Sequence, residues 1–270
     1  MTATKLGTTP SAVTRWIILG VVGVLFAVPI VTMLNFSFNA GLQGGYTLDH
    51  WAGLFNPDNS RTYRQLFQAI GNSFLLAAVT VAIVLAIVLP TMVLVHIQFP
   101  RLKRVLEFIC IVPITVPAIV LVVGLAPIYS VVVKLFGGSV WTLAFAYGIT
   151  VLPYAYRAIQ ANLDAIPVVT LSEAARTLGA GWLMVLLRVL LPNLRRGVLA
   201  AAFISVAVVL GEFTIASLLN RRNLQTALLQ IGQSDPWVAV ILALLSLLFA
   251  FVLLLLIGRL GSLGRKQRSS

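Results

Sequence analysis

The stretch Ala69-Ile70-Gly71-Asn72-Ser73-Phe74-Leu75-Leu76-Ala77-Ala78-Val79-Thr80-Val81-Ala82-Ile83-Val84-Leu85-Ala86-Ile87-Val88-Leu89-Pro90-Thr91-Met92-Val93-Leu94-Val95 contains no Asp, Glu, Lys, Arg or His. Crossing about 30 Å of hydrocarbon as an α-helix takes roughly 20 apolar residues, and this stretch is longer than that. Its apolar residues do not alternate with polar ones as in a barrel strand, and backbone groups in lipid must be paired within the segment. The reading is a transmembrane helix. Five further segments read the same way: Trp16–Leu34, Leu106–Val132, Val140–Arg157, Gly197–Leu219 and Pro236–Leu260. The first is too long for a signal-peptide core and no Ala-x-Ala site follows it, so it is expected to remain as an anchor.

Composition supports this. Of 270 residues, 60% are apolar and 10% charged, against about 45–50% and 25% in soluble domains. These values exclude a soluble enzyme, a disordered chain and a disulfide scaffold, and the single cysteine, Cys110, has no partner for an internal bridge. The net charge of +12 belongs with basic loops rather than with a nucleic-acid surface. Lys and Arg between the spans divide unevenly, fourteen on the side of both termini and five on the other. The expectation is therefore an all-α polytopic membrane protein with six transmembrane helices and both termini cytoplasmic. Residues 1–15 form its cytoplasmic N-terminus, 16–260 one membrane domain and 261–270 a basic tail. Outside, Tyr46-Thr47-Leu48-Asp49-His50-Trp51 suits a short interfacial helix.

The longest cytoplasmic connection, 158–196, carries the most informative pattern. Pro167 suits a helix start, and Gly179 with Gly181 suits a break. Leu171, Ala174, Ala175 and Leu178 fall on one face of the first helix, with Glu173, Arg176 and Thr177 on the polar side. Trp182, Val185, Leu186 and Val189 form a second apolar stripe, expected to pack on the chain's own helices and to end at Pro192. Thr170 and Glu173 have the spacing of a capping box. Two helices and a glycine turn look built to dock.

Glu173-Ala174-Ala175, Gly179 after three residues, then Val189-x-Leu191-Pro192 resembles the EAA loop of binding-protein-dependent ABC importer permeases, with Val189 where the family usually has isoleucine. The Asn72-Ser73 pair and the six-span layout also fit that family. The resemblance implies a type I, MetI-like permease fold in a bacterial cytoplasmic (inner) membrane. It implies as partners a second permease copy or paralogue, two cytoplasmic ATPase subunits and an extracytoplasmic solute-binding protein. Glu173, Ala174, Ala175, Gly179, Leu191 and Pro192 would then couple to the ATPase, which binds ATP and Mg in place of this chain. The look of the chain around Tyr46–Phe55 resembles the polyamine (spermidine/putrescine) branch most; iron, thiamine, aminoethylphosphonate and sulfate-like solutes remain open.

Missing motifs agree with a transporter subunit rather than an enzyme. There is no G-x-x-x-x-G-K-[ST] and no H-E-x-x-H, and His50 and His96 fall on opposite sides of the membrane, so no cofactor or metal site is expected. Glu212 alone among the acids falls well inside a span, with Thr214 beside it, as a pathway or gate residue or a packing acid. Pro113 and Pro117 are expected to bend the third span along the pathway. Arg104 and Glu107 have the spacing of a surface pair. An ATPase-independent secondary transporter is the rival reading, and it has only Glu212 as a coupling residue.

Overall fold

The structure, a computed structural model, describes residues 11–41, 44–56 and 60–266. Lys5, Arg268 and most of the expected N-terminal segment lie outside the described residues. Regular structure among these residues is helical, apart from one isolated antiparallel bridge between Asn39 and Tyr46.

The chain forms two compact units. The first comprises residues up to 61 together with 231–248. It holds α1 (Ala12–Phe38), α2 (Asp49–Phe55) and the opening of α12 (Pro236–Lys266). The short helix expected over the aromatic run is α2. Trp237 is stacked between Phe36 and His50, with centroids at 5.8 and 4.9 Å. Nearly every residue of α1 is exposed, Trp16, Leu25 and Phe26 among them; an all-round apolar helix of this kind belongs in lipid or against another membrane helix.

The second unit comprises residues 62–230 and the chain after 248. It holds nearly all of α3 (Ser60–Gln98), then α4 (Lys103–Ile111), α5 (Ala118–Phe136), α6 (Ala144–Leu163), α7 (Val168–Thr177), α8 (Trp182–Met184), α9 (Leu191–Gly211), α10 (Thr214–Leu218) and the first part of α11 (Leu224–Ser234). Its core centres on α6, whose Tyr147, Val151, Ala155, Tyr156, Ile159 and Leu163 are buried. The most extensive packing is of α6 on α9. There α9 buries Gly197, Ala201, Ser205 and Val209, a small-residue row at every fourth position that lets two helix backbones approach closely. A Cβ on Gly197 would lie 2.8 Å from the Asn162 side chain.

Four helices among the described residues are long and apolar enough to cross a bilayer: Ala12–Phe38, Arg64–Gln98, Ala118–Phe136 and Trp182–Gly211. The other two expected spans correspond to the 20-residue α6 and to α12, apolar over Pro236–Val252. Two of the six are drawn differently from expectation. Leu106–Val132 is not one bent helix. It is α4, a 3-10 turn over Val112–Thr115 that contains Pro113, and then α5 with Pro117 as its N-cap. Each proline lacks an N–H, and Val116 is extended (φ −96°, ψ 123°), as a residue before proline prefers, so the prolines separate one helix from the next.

The fifth span is displaced towards the N-terminus. Helix runs from Trp182 to Gly211 without a stop, so Pro192 does not end it. A π-helical turn, Val185–Leu190, precedes the proline. A regular turn would press the Pro192 ring against the Arg188 carbonyl; the wider turn relieves that crowding. Asn193 Nδ2 donates to the Val189 carbonyl at 2.7 Å.

Candidate functional site

Two places hold the residues singled out from sequence. The first is α7. Pro167 is its N-cap, and Thr170 lies inside the helix, so Thr170 and Glu173 do not form a capping box. The helix ends in a Schellman motif. Gly179 has φ +84°, its N–H donates to the Arg176 carbonyl at 2.9 Å, and Ala180 N–H donates to the Ala175 carbonyl at 3.1 Å. Nothing lies within 4 Å of a Cβ placed on Gly179, so the glycine is required by the backbone angle and not by crowding.

The face of α7 is divided differently from the expected stripe. Val168 and Ser172 are buried, and Leu171 and Ala175 pack on the core. Glu173, Ala174, Arg176, Thr177 and Leu178 are exposed, Leu178 at 88%. Ala174 and Leu178 therefore leave the core-facing stripe and join Glu173 on an open surface. Of the expected stripe, Val185 is fully buried and Leu186 and Val189 pack against the same core, whereas Trp182 is half-buried and faces the groove beside α7. The Arg176 guanidinium lies over the Trp182 ring, 4.9 Å from its centroid. Ile97 and Gln98 at the end of α3, Glu173, Arg176, Thr177 and Trp182 line a shallow groove of about 480 Å³. Of the remaining residues of the pattern, Leu191 packs on the core and Pro192 is exposed.

Two ion pairs join α4 to the C-terminal part of α6. Lys103 Nζ reaches Asp164 at 3.0 Å, and Arg157 reaches Glu107 at 3.2 Å. Glu107 is therefore paired with Arg157 rather than with Arg104. Hydrogen bonding from Gln160, and then from Lys103, holds the Asp164 carboxyl below its ordinary range, with partial desolvation opposing.

The second place is the end of α9. Glu212 is not inside a helix: it terminates α9 with extended backbone (φ −84°, ψ 124°), and Thr214 opens the short helix α10. An apolar run alone does not show that Gly211 and Phe213 flank a break. Both Glu212 carboxylate oxygens accept from Ile215 N–H, at 3.1 and 3.0 Å, so the side chain caps α10. Its carbonyl accepts from Asn223 Nδ2 at 2.7 Å and from Tyr147 Oη at 3.5 Å.

Around Asn223 lies a buried polar cluster that the residues alone did not reveal. Asn223 Nδ2 also donates to Tyr147 Oη at 3.1 Å. Asn223 caps α11 reciprocally with Thr226: Thr226 N–H donates to Asn223 Oδ1, and Asn223 N–H to Thr226 Oγ1, both at 2.9 Å. Leu224 N–H donates to Ser73 Oγ at 2.7 Å, Asn72 Nδ2 to the Arg222 carbonyl at 3.3 Å, and Gln225 Nε2 to the Leu210 carbonyl at 2.8 Å. Asn223 immediately before Leu224 is a legible N-cap signal. Its partners on α3, α6 and α9 are far away in sequence and left no local trace. Pro113 and Pro117 are not in this cluster; they border the break before α5.

The described residues are thus helical, with apolar helices long enough to cross a bilayer, one broken span and a short helix, α7, between two longer ones. Residues 97–263 match the family described as "Binding-protein-dependent transport system inner membrane component", and the chain belongs to that family of ABC transporter permeases. It is 28% identical over 264 residues to a "Probable ABC transporter permease protein y4fN" of Sinorhizobium fredii, covering 91% of this chain and 45% of that protein. It is 30% identical over 115 residues to the "Phosphate transport system permease protein PstA" of Pasteurella multocida, covering 43% of this chain and 40% of that one. The chain thus spans less than half the length of these curated relatives. The family is one of membrane transport components, not of enzymes.

Proposed function

We propose that this chain is the permease subunit of an ATP-driven importer, forming the path for a small solute handed over by a binding protein, with α7 as the helix that docks on a separate ATPase. The observation that carries the reading is the exposed Glu173, Ala174 and Leu178 surface on a helix whose opposite face is fastened to the core. A Leu side chain left 88% exposed beside a Schellman turn, in a connection between spanning helices, is a surface awaiting a partner. The basic asymmetry favours a cytoplasmic position for this connection and for both termini, in a bacterial inner membrane. The partners are a second permease, two ATPase subunits that hold ATP and Mg, and an extracytoplasmic binding protein. No cofactor is assigned to this chain.

Leu178→Asp tests the reading, because the side chain contributes no burial to the fold. The variant is expected to insert normally, to lose co-purification with the ATPase and to lose uptake. Retention of both would remove α7 as the docking helix.

For the solute, the resemblance makes a polyamine the first candidate. A second reading, a phosphate-type oxyanion, has two observations in its favour. One relative carries the name of a phosphate permease. In addition, the half-buried Arg221 donates to Tyr129 Oη at 3.3 Å and has no carboxylate partner among the described residues. Uptake of labelled putrescine against labelled phosphate by the reconstituted complex decides between them.

A further inference from the structure

Charge is spent unevenly at the start of α4. Lys103 and Arg157 each hold a carboxylate, those of Asp164 and Glu107. Arg104 is exposed and holds none among the described residues. Arg101, three residues earlier, is likewise exposed and without an acidic partner among them. Arg104 also lines a groove of about 350 Å³ together with Glu107, Phe108, Ile111, Val112 and Thr115. Arg104, Phe108, Ile111 and Thr115 follow one another in steps of three and four, so the groove runs along one side of α4 and onto the 3-10 turn below it. Its wall is apolar from Phe108 to Val112, and its unpaired charge stands at one end.

The dimensions match half a bilayer. At 1.5 Å per residue the rise from Arg104 to Thr115 is roughly 16 Å, and one leaflet's share of the hydrocarbon is about 15 Å. The groove thus offers a cation at headgroup level and an apolar wall as deep as one leaflet. A phospholipid has the same layout, with a negative phosphate above an acyl chain. Arginine suits the upper position, because its stem covers apolar surface while its head stays with water and phosphate. The level is that of α7: Ile97 and Gln98 at the end of α3 line the groove beside α7, and the chain enters α4 at Lys103. Basic residues at such a boundary attract anionic lipid.

Other occupants fit less well. A free anion would use Arg104 and leave the apolar wall in water. Two copies meeting here about a two-fold axis would present the same face to each other and bring Arg104 with no free carboxylate to meet it, since Glu107 is taken by Arg157 at 3.2 Å. The turn at the foot of the groove is compatible with a lipid chain, because its polar groups are paired within the protein. Val112 N–H donates to the Phe108 carbonyl, Val116 N–H to the Pro113 carbonyl at 3.3 Å, and Thr115 Oγ to the Val112 carbonyl at 2.7 Å. Pro113 has no N–H to leave unpaired.

We propose that this groove binds an anionic phospholipid of the leaflet on the α7 side, with the phosphate on Arg104 and one acyl chain along Phe108, Ile111 and Val112. Arg101 adds to the attraction, and Glu107 does not oppose it because Arg157 neutralises its charge. The site depends on the chain lying in a bilayer and not on the docking role of α7 or on the solute.

The test uses the purified full chain, with the partners that accompany it, in nanodiscs of equal parts phosphatidylglycerol and phosphatidylcholine with matched acyl chains. Phe108 is 70% exposed, so exchanging it for the photoreactive p-benzoylphenylalanine removes little burial. Irradiation followed by intact-mass measurement then reports what lies in the groove. Adducts of one phosphatidylglycerol are expected to exceed those of phosphatidylcholine about fivefold, the factor that one arginine near an anionic surface supplies. Arg104→Gln is expected to abolish that preference, Arg104→Lys to keep most of it, and added inorganic phosphate to leave it unchanged. Equal labelling by the two lipids, absence of lipid adducts, or a preference that survives Arg104→Gln would each overturn the site. Cross-links to a second copy or another subunit in place of lipid would overturn it in favour of a protein interface. Loss of the preference on adding phosphate would overturn it in favour of a free anion. The measurement needs only an inserted chain, so absence of an ATPase from the preparation would count against the permease reading and leave the lipid site to be decided by its own adducts.

Discussion

Gly179 shows how a single backbone angle sets the shape of a surface. Its φ of +84° closes α7, and open space surrounds the position of a Cβ. Gly179→Ala should therefore reveal the angular strain alone, about 1–2 kcal/mol, with no clash. The expected outcome is a lower melting temperature of the detergent-solubilised chain, with α7's exposed face unchanged in chemistry. Glu212 poses the complementary question of what a charge does where a helix breaks. Its carboxylate accepts from one backbone N–H, a bond that glutamine can also supply through its amide oxygen. Glu212→Gln is expected to keep assembly and most uptake, while Glu212→Leu loses the α10 cap and most of the uptake. Equal failure of both variants would make the charge itself the requirement and return Glu212 to the role of a cation contact.

At the scale of elements, the joint between α6 and α9 depends on the absence of a side chain. Gly197 lies so close to Asn162 that a methyl group would sit 2.8 Å from its Cβ, Cγ and Nδ2. Asn162 is itself tied back to the Ala158 carbonyl at 3.2 Å. Gly197→Ala is expected to destabilise the unit by about 1–3 kcal/mol, in the range of overpacked cores. Asn162→Ala in the same chain should recover some of that loss, since it removes two of the three crowding atoms. Thermal unfolding of the two single variants and the double variant measures the coupling, and strict additivity would show that the contact is not what limits the packing. The continuous helix Trp182–Gly211 belongs to this scale too. By joining the segment after α7 to the helix that ends at Glu212, it gives one rigid connection from the projecting surface to the broken end.

At the scale of the whole molecule, orientation follows from charge rather than from packing. On the six-span reading, which places fourteen basic residues on one side and five on the other, a reporter fused at the C-terminus is expected to behave as cytoplasmic, and one inserted near Asn59 as exported. An exported C-terminal reporter would invert the molecule and place α7 out of reach of any ATPase. The extensive exposed apolar surface of α1 and α5 agrees with a chain whose solvent is lipid and whose neighbours are other membrane helices.

Several features were legible in the residues themselves because they depend on transfer between water and lipid, or on a local pattern. The apolar runs marked the membrane helices. The Glu173-Ala174-Ala175 to Gly179 spacing marked a short helix and its stop, and the inward stripe from Val185 to Val189 was periodic enough to read. Hydropathy is blind to where a helix breaks inside an apolar run, so Leu106–Val132 and Gly197–Leu219 read as unbroken spans. The prolines at 113 and 117 divide the first and the extended Glu212 divides the second, while the wide turn before Pro192 carries the helix ahead of it through a residue that locally reads as a stop. The side of α7 on which Ala174 and Leu178 lie was settled by which face the core claimed, a matter of packing rather than of periodicity. The polar joint at Asn223 was settled by tertiary structure alone. Its hydrogen bonds join residues 76 and 151 positions apart, and a hydrogen bond records the distance between two atoms in space, which no local run of residues encodes.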